Sequence, residues 1–347
     1  MTTSAIPDER RIRVVVDAMG GDHAPNNEVS GALLALQQLG AQVDITLVGR
    51  SGEIAPLLPA TSASIRVVHA EDVIGMGDEA SSILKTRQQS SLYIGLALMR
   101  DGHADAFVSG GNTGAVMASA TMMCGRIKGV SRPTIGSFFP TKNVRPSLVL
   151  DVGANVESKP RFMADYAVMG SVYYKLIMGV DRPTVGLLNV GEEEEKGTEA
   201  TRETYALLKM KSDLNFVGNV EGRDILSGGV DVIVCDGFEG NIVLKFAESV
   251  LVFLKARFRA FAERGPLQKL TMAAFRPILK TVLRDMDYQE YGGVPLLGIN
   301  GVVIIGHGSS SPKAIANMIR RAVDVVRLDV NGHIQRALAA PQPPETT

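Results

Sequence analysis

The chain has 347 residues, of which 45% are hydrophobic and 21% are charged, and its 36 basic and 37 acidic residues give a formal net charge of −1. This composition is typical of a globular protein and excludes a disordered chain, a collagen-like repeat and a coiled coil. The balanced charge does not indicate nucleic-acid binding, and the opening sequence MTTSAIPDERRIR lacks the apolar segment of a secretory signal. We therefore expect a cytoplasmic protein.

Short apolar segments alternate with segments of helical period along the whole chain. In chain order we predict strand Ile12–Ala18, helix 27–39, strands Val43–Gly49 and Ile65–His69, helix 78–100, strand Ala104–Ser109, helix 112–124, strand Ser147–Val152, helix 160–178, strand Thr184–Val190, helix 198–210, strands Asn215–Val220 and Val230–Cys235, helix 240–262, strand Gly301–Gly306 and helix 312–338. This alternation predicts an α/β fold with a largely parallel sheet and helices on both faces. Runs such as VIVCD are apolar throughout, which is typical of strands that are covered on both sides. We expect one catalytic domain over 10–338 and a flexible tail over 339–347.

Polar and glycine-rich residues follow most of the predicted strands. In open α/β sheets, ligands bind outside the carboxyl ends of parallel strands, so we expect these ends to form the rim of one cleft. The alternative is that such turns need Gly, Asn and Asp only for backbone conformation and helix caps. The polar residues at the predicted ends are Asp17, Asn155, Lys196, Glu221, Asp236, Asn241 and His307.

Several common catalytic signatures are missing from the sequence. It contains no G-x-G-x-x-G after a strand, no H-E-x-x-H, no C-x-x-C and no G-x-S-x-G. The segment GEEEEKGT at 191–198 imitates a phosphate-binding loop, but it lacks the G-K-[ST] order and its four glutamates would repel a nucleotide. We therefore expect neither a nucleoside triphosphatase nor a site for zinc or another metal.

The segment SGGNTG at 109–114 is the strongest anion-binding candidate. Gly111 frees the backbone for close approach, Asn112 can cap the following helix, and Thr113 begins that helix. A helix N-terminus offers unpaired N–H groups and a partial positive charge to a phosphate. An ordinary strand-to-helix turn is the alternative. Lys85 and Lys196 offer further positive charge, although either could be a solvated surface lysine.

His307 and the two cysteines are the remaining candidates for chemistry. His307 lies between two glycines after an apolar run, a context that core packing explains poorly, and a histidine there can donate a proton or a hydrogen bond. Cys124 and Cys235 cannot form a disulfide framework. Cys235 lies in an apolar strand, where a free cysteine usually behaves as a small hydrophobic residue, so covalent cysteine catalysis is disfavoured.

A basic amphipathic hairpin is predicted at about 240–286. Between Lys255 and Arg284 the chain has eight basic residues and one acidic residue, Glu263. Apolar residues repeat at helical spacing before a Gly-Pro break at 265–266, and the turn carries Arg264, Leu267, Lys269 and Leu270. Such a hairpin fits an anionic membrane surface, an acidic protein, a dimer mate or a plain surface role.

Taken together, the motifs resemble the PlsX family of bacterial phosphate acyltransferases over about residues 12–330. The resemblance rests on the segments VDAMGGDHAP, GMGDEASSILKTRQQSS, SGGNTGA, LDVGANVESKP, LLNVGEEEEKGTE, FVGNVEGRDI, DVIVCDGFEGNIVLK and YGGVPLLGINGVVIIGHGSS, in this order. It implies transfer of an acyl group from acyl carrier protein to inorganic phosphate, for use by a membrane acyltransferase of phospholipid synthesis. It also implies a homodimer with a fold related to phosphate acetyltransferases and isocitrate or isopropylmalate dehydrogenases. No cofactor or nucleic acid is implied, and the protein is expected to be cytoplasmic and peripherally associated with the inner face of the membrane.

For this reaction we assign roles from the chemistry of the residues. Lys196 is expected to be the main electrostatic group, and His307 and Asn241 to contact the oxyanion or the leaving thiolate. Gly111, Asn112 and Thr113 are expected to hold phosphate, with Lys85 and Asp236 as further substrate contacts. Arg264, Leu267, Lys269 and Leu270 are expected to touch the membrane or the carrier protein. The alternatives are a metal-dependent dehydrogenase on the related fold and a non-catalytic membrane scaffold.

Overall fold

A computed structural model of the chain describes residues 10–59, 64–75, 77–78, 80–143, 145–284 and 292–339. These residues contain an 11-stranded sheet. The strands are β1 Ile12–Asp17, β2 Val43–Gly49, β3 Ile65–His69, β4 Ala106–Ser109, β5 Thr134–Phe139, β6 Ser147–Leu150, β7 Thr184–Leu188, β8 Asn215–Val220, β9 Val232–Val234, β10 Val294–Leu297 and β11 Val302–Ile305. The helices are α1 Asn26–Leu39, α2 Ser51–Ile54, α3 Ala80–Thr86, α4 Ser91–Arg100, α5 Thr113–Cys124, α6 Pro160–Met178, α7 Glu199–Met210, α8 Gly237–Ala262, α9 Pro266–Arg284, α10 Pro312–Arg327 and α11 Val330–Ala339.

The predicted α/β class and every predicted strand are confirmed, and two of the predicted helices are each divided in two. The segment 78–100 forms α3 and α4. Ser90 caps the N-terminus of α4, since its side-chain oxygen accepts a hydrogen bond from the Tyr93 amide at 3.3 Å, and the second helix therefore begins at Ser91. The segment 312–338 forms α10 and α11, which are separated at Asp329, whose φ is 46°. Helix α11 includes Ala339, so the predicted tail begins no earlier than residue 340, and 340–347 lie outside the described residues.

The sheet consists of two parallel groups that run in opposite directions. Its strand order is β3-β2-β1-β4-β11-β10-β5-β6-β9-β7-β8. Strands β3, β2, β1, β4 and β11 are mutually parallel, and so are β6, β9, β7 and β8. Between these groups, β10 is antiparallel to both neighbours, and β5 is antiparallel to both β10 and β6. The two strands that the sequence did not predict, β5 and β10, therefore join the groups.

Both faces of the sheet are covered by apolar packing. In β1, Val14 and Val16 belong to the core on the face covered by α1 and α10, whereas Val15 belongs to the core on the opposite face with α4. Each of the three is 1% exposed. This arrangement confirms the interpretation of the apolar runs as strands that are buried on both sides.

Helices α8 and α9 form the predicted hairpin. Its first helix begins beside β6 and packs against α9. The predicted apolar face of α8, including Val243, Ala247 and Val250, is partly buried, whereas Phe246 and Phe253 on the same helix are 68% and 62% exposed. In the part of the chain that the structure describes, no helix is long and apolar enough to cross a membrane.

Candidate active site

A cavity of about 540 Å³ lies where α5, the loop after β11 and the beginning of α8 meet. Its wall also includes Ile135 and Ser137 of β5 and Gly153 in the loop after β6. Five of the residues predicted for the site line this cavity, namely Gly111, Asn112, Thr113, Asn241 and His307. The cavity therefore joins elements from both directions of the sheet.

The N-terminus of α5 presents backbone donors to the cavity. Asn112 caps the helix, since its side-chain oxygen accepts a hydrogen bond from the Ala115 amide at 3.0 Å. Thr113 and Gly114 are the first two helical residues, both are exposed and both line the cavity. Their amides find no acceptor among the described residues, as expected for the first turn of a helix. These two N–H groups, with the helix dipole, suit an anion such as phosphate.

Gly111 differs from its predicted role. Its amide donates to the Ser109 hydroxyl at 3.1 Å, and that hydroxyl donates to the Asp17 carboxylate at 2.8 Å. The Gly111 N–H is therefore engaged inside the protein and does not face a ligand. Gly111 is instead part of the loop after β4, and the Ser109 hydroxyl links this loop to Asp17, which is 3% exposed. Burial raises the pKa of Asp17 above its ordinary value.

A second buried carboxyl lies against the loop after β1. Glu28, in α1, is 1% exposed, and its Oε2 atom has no hydrogen-bond partner among the described residues. Its other oxygen lies against Gly21, where a Cβ atom would collide with it. Burial, reinforced by the nearby Asp17 and Asp22, raises the pKa of Glu28 to about 7. Near neutral pH this group is therefore divided between its protonated and ionised forms.

The hydrogen bonds at His307 fit one tautomer of its ring. Its Nδ1 accepts a hydrogen bond from the Ser309 amide at 3.2 Å and lies 2.8 Å from the Ser309 hydroxyl. Because Nδ1 accepts from the amide, the proton of the neutral ring is on Nε2. The exposed His307 ring therefore offers an N–H donor at the rim of the cavity.

The beginning of α8 contributes an amide and a cation to the cavity. Asn241 lines it, and its side chain has no hydrogen-bond partner among the described residues. Lys245, one turn later on the same helix, also lines it and pairs with Glu248 at 2.9 Å. Lys245 is not among the predicted site residues, because a lysine in an amphipathic helix is typical of a solvated surface. The four-residue spacing after Asn241 in NIVLK was the available signal, since it places both side chains on one helical face.

The loop after β6 fixes the position of α8. The buried Asp151 carboxylate accepts hydrogen bonds from the amides of Gly153, Ala154 and Asn155 at 2.7–3.0 Å and from the Asn155 side chain at 2.8 Å. Burial raises its pKa to about 6 in spite of these donors. Helix α8 packs so closely on this loop that a Cβ at Gly240 would overlap the Asp151 carbonyl. The loop thereby places Asn241 against Gly153.

Three predicted site residues do not line the cavity. Asp236 caps α8, accepting from the Phe238 amide at 2.8 Å and the Ser158 amide at 2.6 Å, so its carboxylate holds the loop and the helix together. Lys85 is exposed in the last turn of α3. Lys196 is exposed in the turn between β7 and α7 and makes no ion pair with the described residues. Its catalytic role stays a prediction.

The expectation of one shared cleft is confirmed for the ends of β4, β6, β9 and β11, because the loop or helix after each of them lines the same cavity. The two groups run in opposite directions, but the register of β10 and β5 between them sets their carboxyl ends in one row: Ser109 pairs with Ile305, Ile305 with Val294, and Ser137 with Val149. The cavity lies at this row, where it brings His307 and Asn241 together. The other polar residues predicted for the rim do not line it, namely Asp17, Asn155, Lys196, Glu221 and Asp236.

Neither cysteine is a tuned nucleophile. Burial raises the pKa of the Cys124 thiol to about 11 and that of Cys235 well above its ordinary value. The Cys235 thiol also donates to the Asp151 carbonyl at 3.3 Å. Both residues are therefore protonated at neutral pH, whereas nucleophilic attack requires the thiolate.

Comparison with known proteins places this geometry in context. A family model with the description "Fatty acid synthesis protein" matches residues 12–333. The phosphate acyltransferase of Nostoc sp. is 45% identical over 327 residues, which cover 93% of this chain and 95% of that protein. The phosphate acyltransferase of Nitratiruptor sp. is 44% identical over 328 residues, covering 94% and 98%.

Solved structures show the same fold at low sequence identity. The EutD phosphotransacetylase from Staphylococcus aureus has a TM-score of 0.57 and 19% identity, covering 93% of this chain and 95% of that one. The branched-chain phosphotransacylase from Enterococcus faecalis has a TM-score of 0.54 and 14% identity, covering 90% and 98%. The predicted relation to phosphate acetyltransferases is therefore confirmed at the level of the fold.

Proposed function

The chain belongs to the phosphate acyltransferase family, and we propose that it transfers a fatty acyl group from the thioester of acyl carrier protein to inorganic phosphate. The protein is an acyltransferase of lipid synthesis. In the proposed reaction a phosphate oxygen attacks the thioester carbonyl carbon, the C–S bond breaks, and the carrier leaves as a thiolate that takes a proton from water. The products are an acyl phosphate, which supplies phospholipid synthesis, and free carrier protein.

Phosphate binding is assigned to the N-terminus of α5. The amides of Thr113 and Gly114 and the dipole of a 12-residue helix favour a dianion there. Lys245 lines the same cavity and pairs there with Glu248 at 2.9 Å, and its flexible side chain can turn from that carboxylate toward a bound anion. Together they hold the nucleophile next to the carbonyl group, which replaces a bimolecular encounter by an oriented one. This juxtaposition of helix N-terminus and lysine is the observation that carries the proposal.

The tetrahedral intermediate needs donors for its oxyanion. His307 offers Nε2–H, and Asn241 offers a side-chain amide that no described residue occupies. Donors that are already oriented toward the developing charge are typically the largest single contribution to such catalysis. We keep Lys196 as a further electrostatic group, because it follows β7, which pairs with β9, the strand that leads into α8.

We also propose a homodimeric, cytoplasmic enzyme that contacts the membrane through the tip of the hairpin, with residues 10–338 as one catalytic domain. The continuous sheet supports the single domain. Leu267 and Leu270 are 70% and 68% exposed, and Arg264 and Lys269 lie beside them. Exposed apolar side chains next to cations suit the interface of an anionic bilayer, or an acidic carrier protein.

The reaction is tested with purified protein, acyl carrier protein loaded with palmitate, and phosphate. We expect free carrier to form only when phosphate is present, and hydroxylamine to trap the acyl phosphate as a hydroxamate. Release of carrier at the same rate in phosphate-free buffer identifies a thioesterase and refutes the proposal. Formation of NADH from a hydroxy acid would instead support the dehydrogenase alternative.

A further inference from the structure

A second cavity of about 530 Å³ lies between α8 and the end of β5. Its walls are mainly apolar and include Phe139, Ile225, Val243, Ala247 and Leu251. The volume lies within the range of about 300–1,000 Å³ that is typical of small-molecule sites. None of the assigned steps of phosphate binding or oxyanion stabilisation uses this space.

The two cavities are continuous. Both are lined by Ser137, Phe138, Leu244, Glu248 and His307. The first cavity has the helix N-terminus and the lysine, whereas the second is apolar. A ligand that spans both must therefore have a polar, reactive head and an apolar tail.

We propose that the second cavity binds the hydrocarbon chain of the acyl donor and that α8 sets the length of chain that fits. This inference rests on the proposed function, because it takes the reacting thioester to lie at His307. The acyl carbonyl then sits at the junction of the cavities, with phosphate on one side and the chain on the other. Apolar burial of the tail contributes about a fourfold gain in affinity for each methylene group.

Helix α8 runs along the length of the proposed chain site. Glu248 belongs to both cavities and Lys255 only to the second, and seven residues at 1.5 Å each separate them by about 10 Å. Ala247 lies near the junction, on the inner side of the helix, and is only partly buried. A larger side chain there would fill space that every bound acyl chain must pass, whereas a larger side chain at Leu251, farther along the helix, would fill space that a short chain needs less.

A second copy of this chain is the competing occupant. A partner that packed on the outer apolar side of α8 would cover Phe253, which is 62% exposed and does not line the cavity. Ala247 faces the body of the same protein and packs with its core. The continuity with the reactive cavity favours the acyl chain, and the test separates the two occupants.

The test compares Ala247→Phe and Leu251→Phe with the wild type, on palmitoyl and octanoyl carrier protein. We expect Ala247→Phe, near the junction, to lower kcat/KM at least tenfold for both substrates, since two or more displaced methylenes account for about that factor. Leu251→Phe, nearer the far end, should lower the palmitoyl value more than the octanoyl value. The matched control is Ala260→Phe, at an exposed position of α8 outside both cavities.

Palmitate binding gives a readout that does not depend on catalysis. Displacement of a fluorescent long-chain fatty acid by palmitate should weaken at least tenfold in Ala247→Phe and not in Ala260→Phe, and the absence of tryptophan leaves the probe signal clear. Equal losses for both acyl lengths in Leu251→Phe would overturn the inference, and so would unchanged palmitate binding or dissociation of a dimer in Ala247→Phe. If no acyl phosphate forms in the wild type but palmitate binding still depends on Ala247, the proposed function fails and the chain site stands.

Discussion

The buried Glu28 carboxyl makes protein stability depend on pH in a way that one substitution removes. Its pKa is raised from 4.5 to about 7 in the folded protein, with burial as the main cause. A buried acid with a raised pKa keeps its proton after the unfolded chain has lost it. Stability therefore decreases as the pH rises from about 4.5 to about 7, and this contribution is constant above that range.

The size of the effect follows from linkage. Each pH unit in this window removes about 1.4 kcal/mol of stability, so the full loss is about 3 kcal/mol. A domain is typically stable by about 5–15 kcal/mol, so the loss is a large fraction of the total. For a chain of 347 residues it corresponds to about 4 °C in Tm.

Glu28→Gln keeps the shape of the side chain and abolishes its titration. We expect the difference in Tm between the variant and the wild type to increase by about 4 °C, in favour of the variant, between pH 4.5 and well above pH 7. Packing changes that do not depend on pH cancel in this difference. Glu203→Gln, at an exposed position of α7, is the matched control and should show no such trend. Parallel pH profiles for wild type and Glu28→Gln would show that Glu28 ionises normally and refute the reasoning.

Four further outcomes test the site and the hairpin. Lys245→Ala should raise the KM for phosphate about tenfold or more, the size of a lost hydrogen bond to a charged group, and a value within twofold would remove Lys245 from phosphate binding. Lys196→Ala should lower kcat about 10²–10³-fold with Tm unchanged, and near-normal turnover would assign Lys196 to the surface. Cys235→Ser should keep its activity within about threefold but lose stability, because a hydroxyl replaces a buried thiol directly after β9, and mass spectrometry should find no acyl group on either cysteine of this protein. Leu267→Glu combined with Leu270→Glu should abolish sedimentation with anionic liposomes and spare turnover of soluble substrate; a wild type that never sediments, together with a monomeric double variant, would identify a dimer contact.

The types of residue in the sequence were enough to predict some of the side chains that line the cavity, but not all of them. The helix cap Asn112, the glycine-flanked His307 and Asn241 were found from their local sequence, because caps and strand ends have recognisable residues. Lys245 was missed, since a lysine inside an amphipathic helix has no local feature that separates a site residue from a solvated one. Asp236 is predicted to contact substrate, but its carboxylate accepts hydrogen bonds from the Phe238 amide at the start of α8 and from the Ser158 amide in the loop after β6.

The strands that escaped prediction have a common physical reason. Strand β5, TIGSFF, contains Gly136 and Ser137, and β10, VPLL, contains Pro295. Neither is followed by a helix in the next connection, because β5 leads directly into β6 and β10 into β11. The alternation of strand and helix that identified the other strands is absent around β5 and β10.

The sequence alone determined the α/β class, the strands buried on both faces and the polar residues at the strand ends, because these depend on the hydrophobic period and on turn chemistry within a few neighbouring residues. Only the tertiary structure decided which strand ends meet. Two antiparallel strands, β5 and β10, reverse the direction of half of the sheet, and pairing of strands far apart in the chain leaves no periodic signal in either of them. Their register also sets the carboxyl ends of the two groups in one row, so that the loop after β11 and the beginning of α8 bring His307, Asn241 and Lys245 into one cavity with the N-terminus of α5.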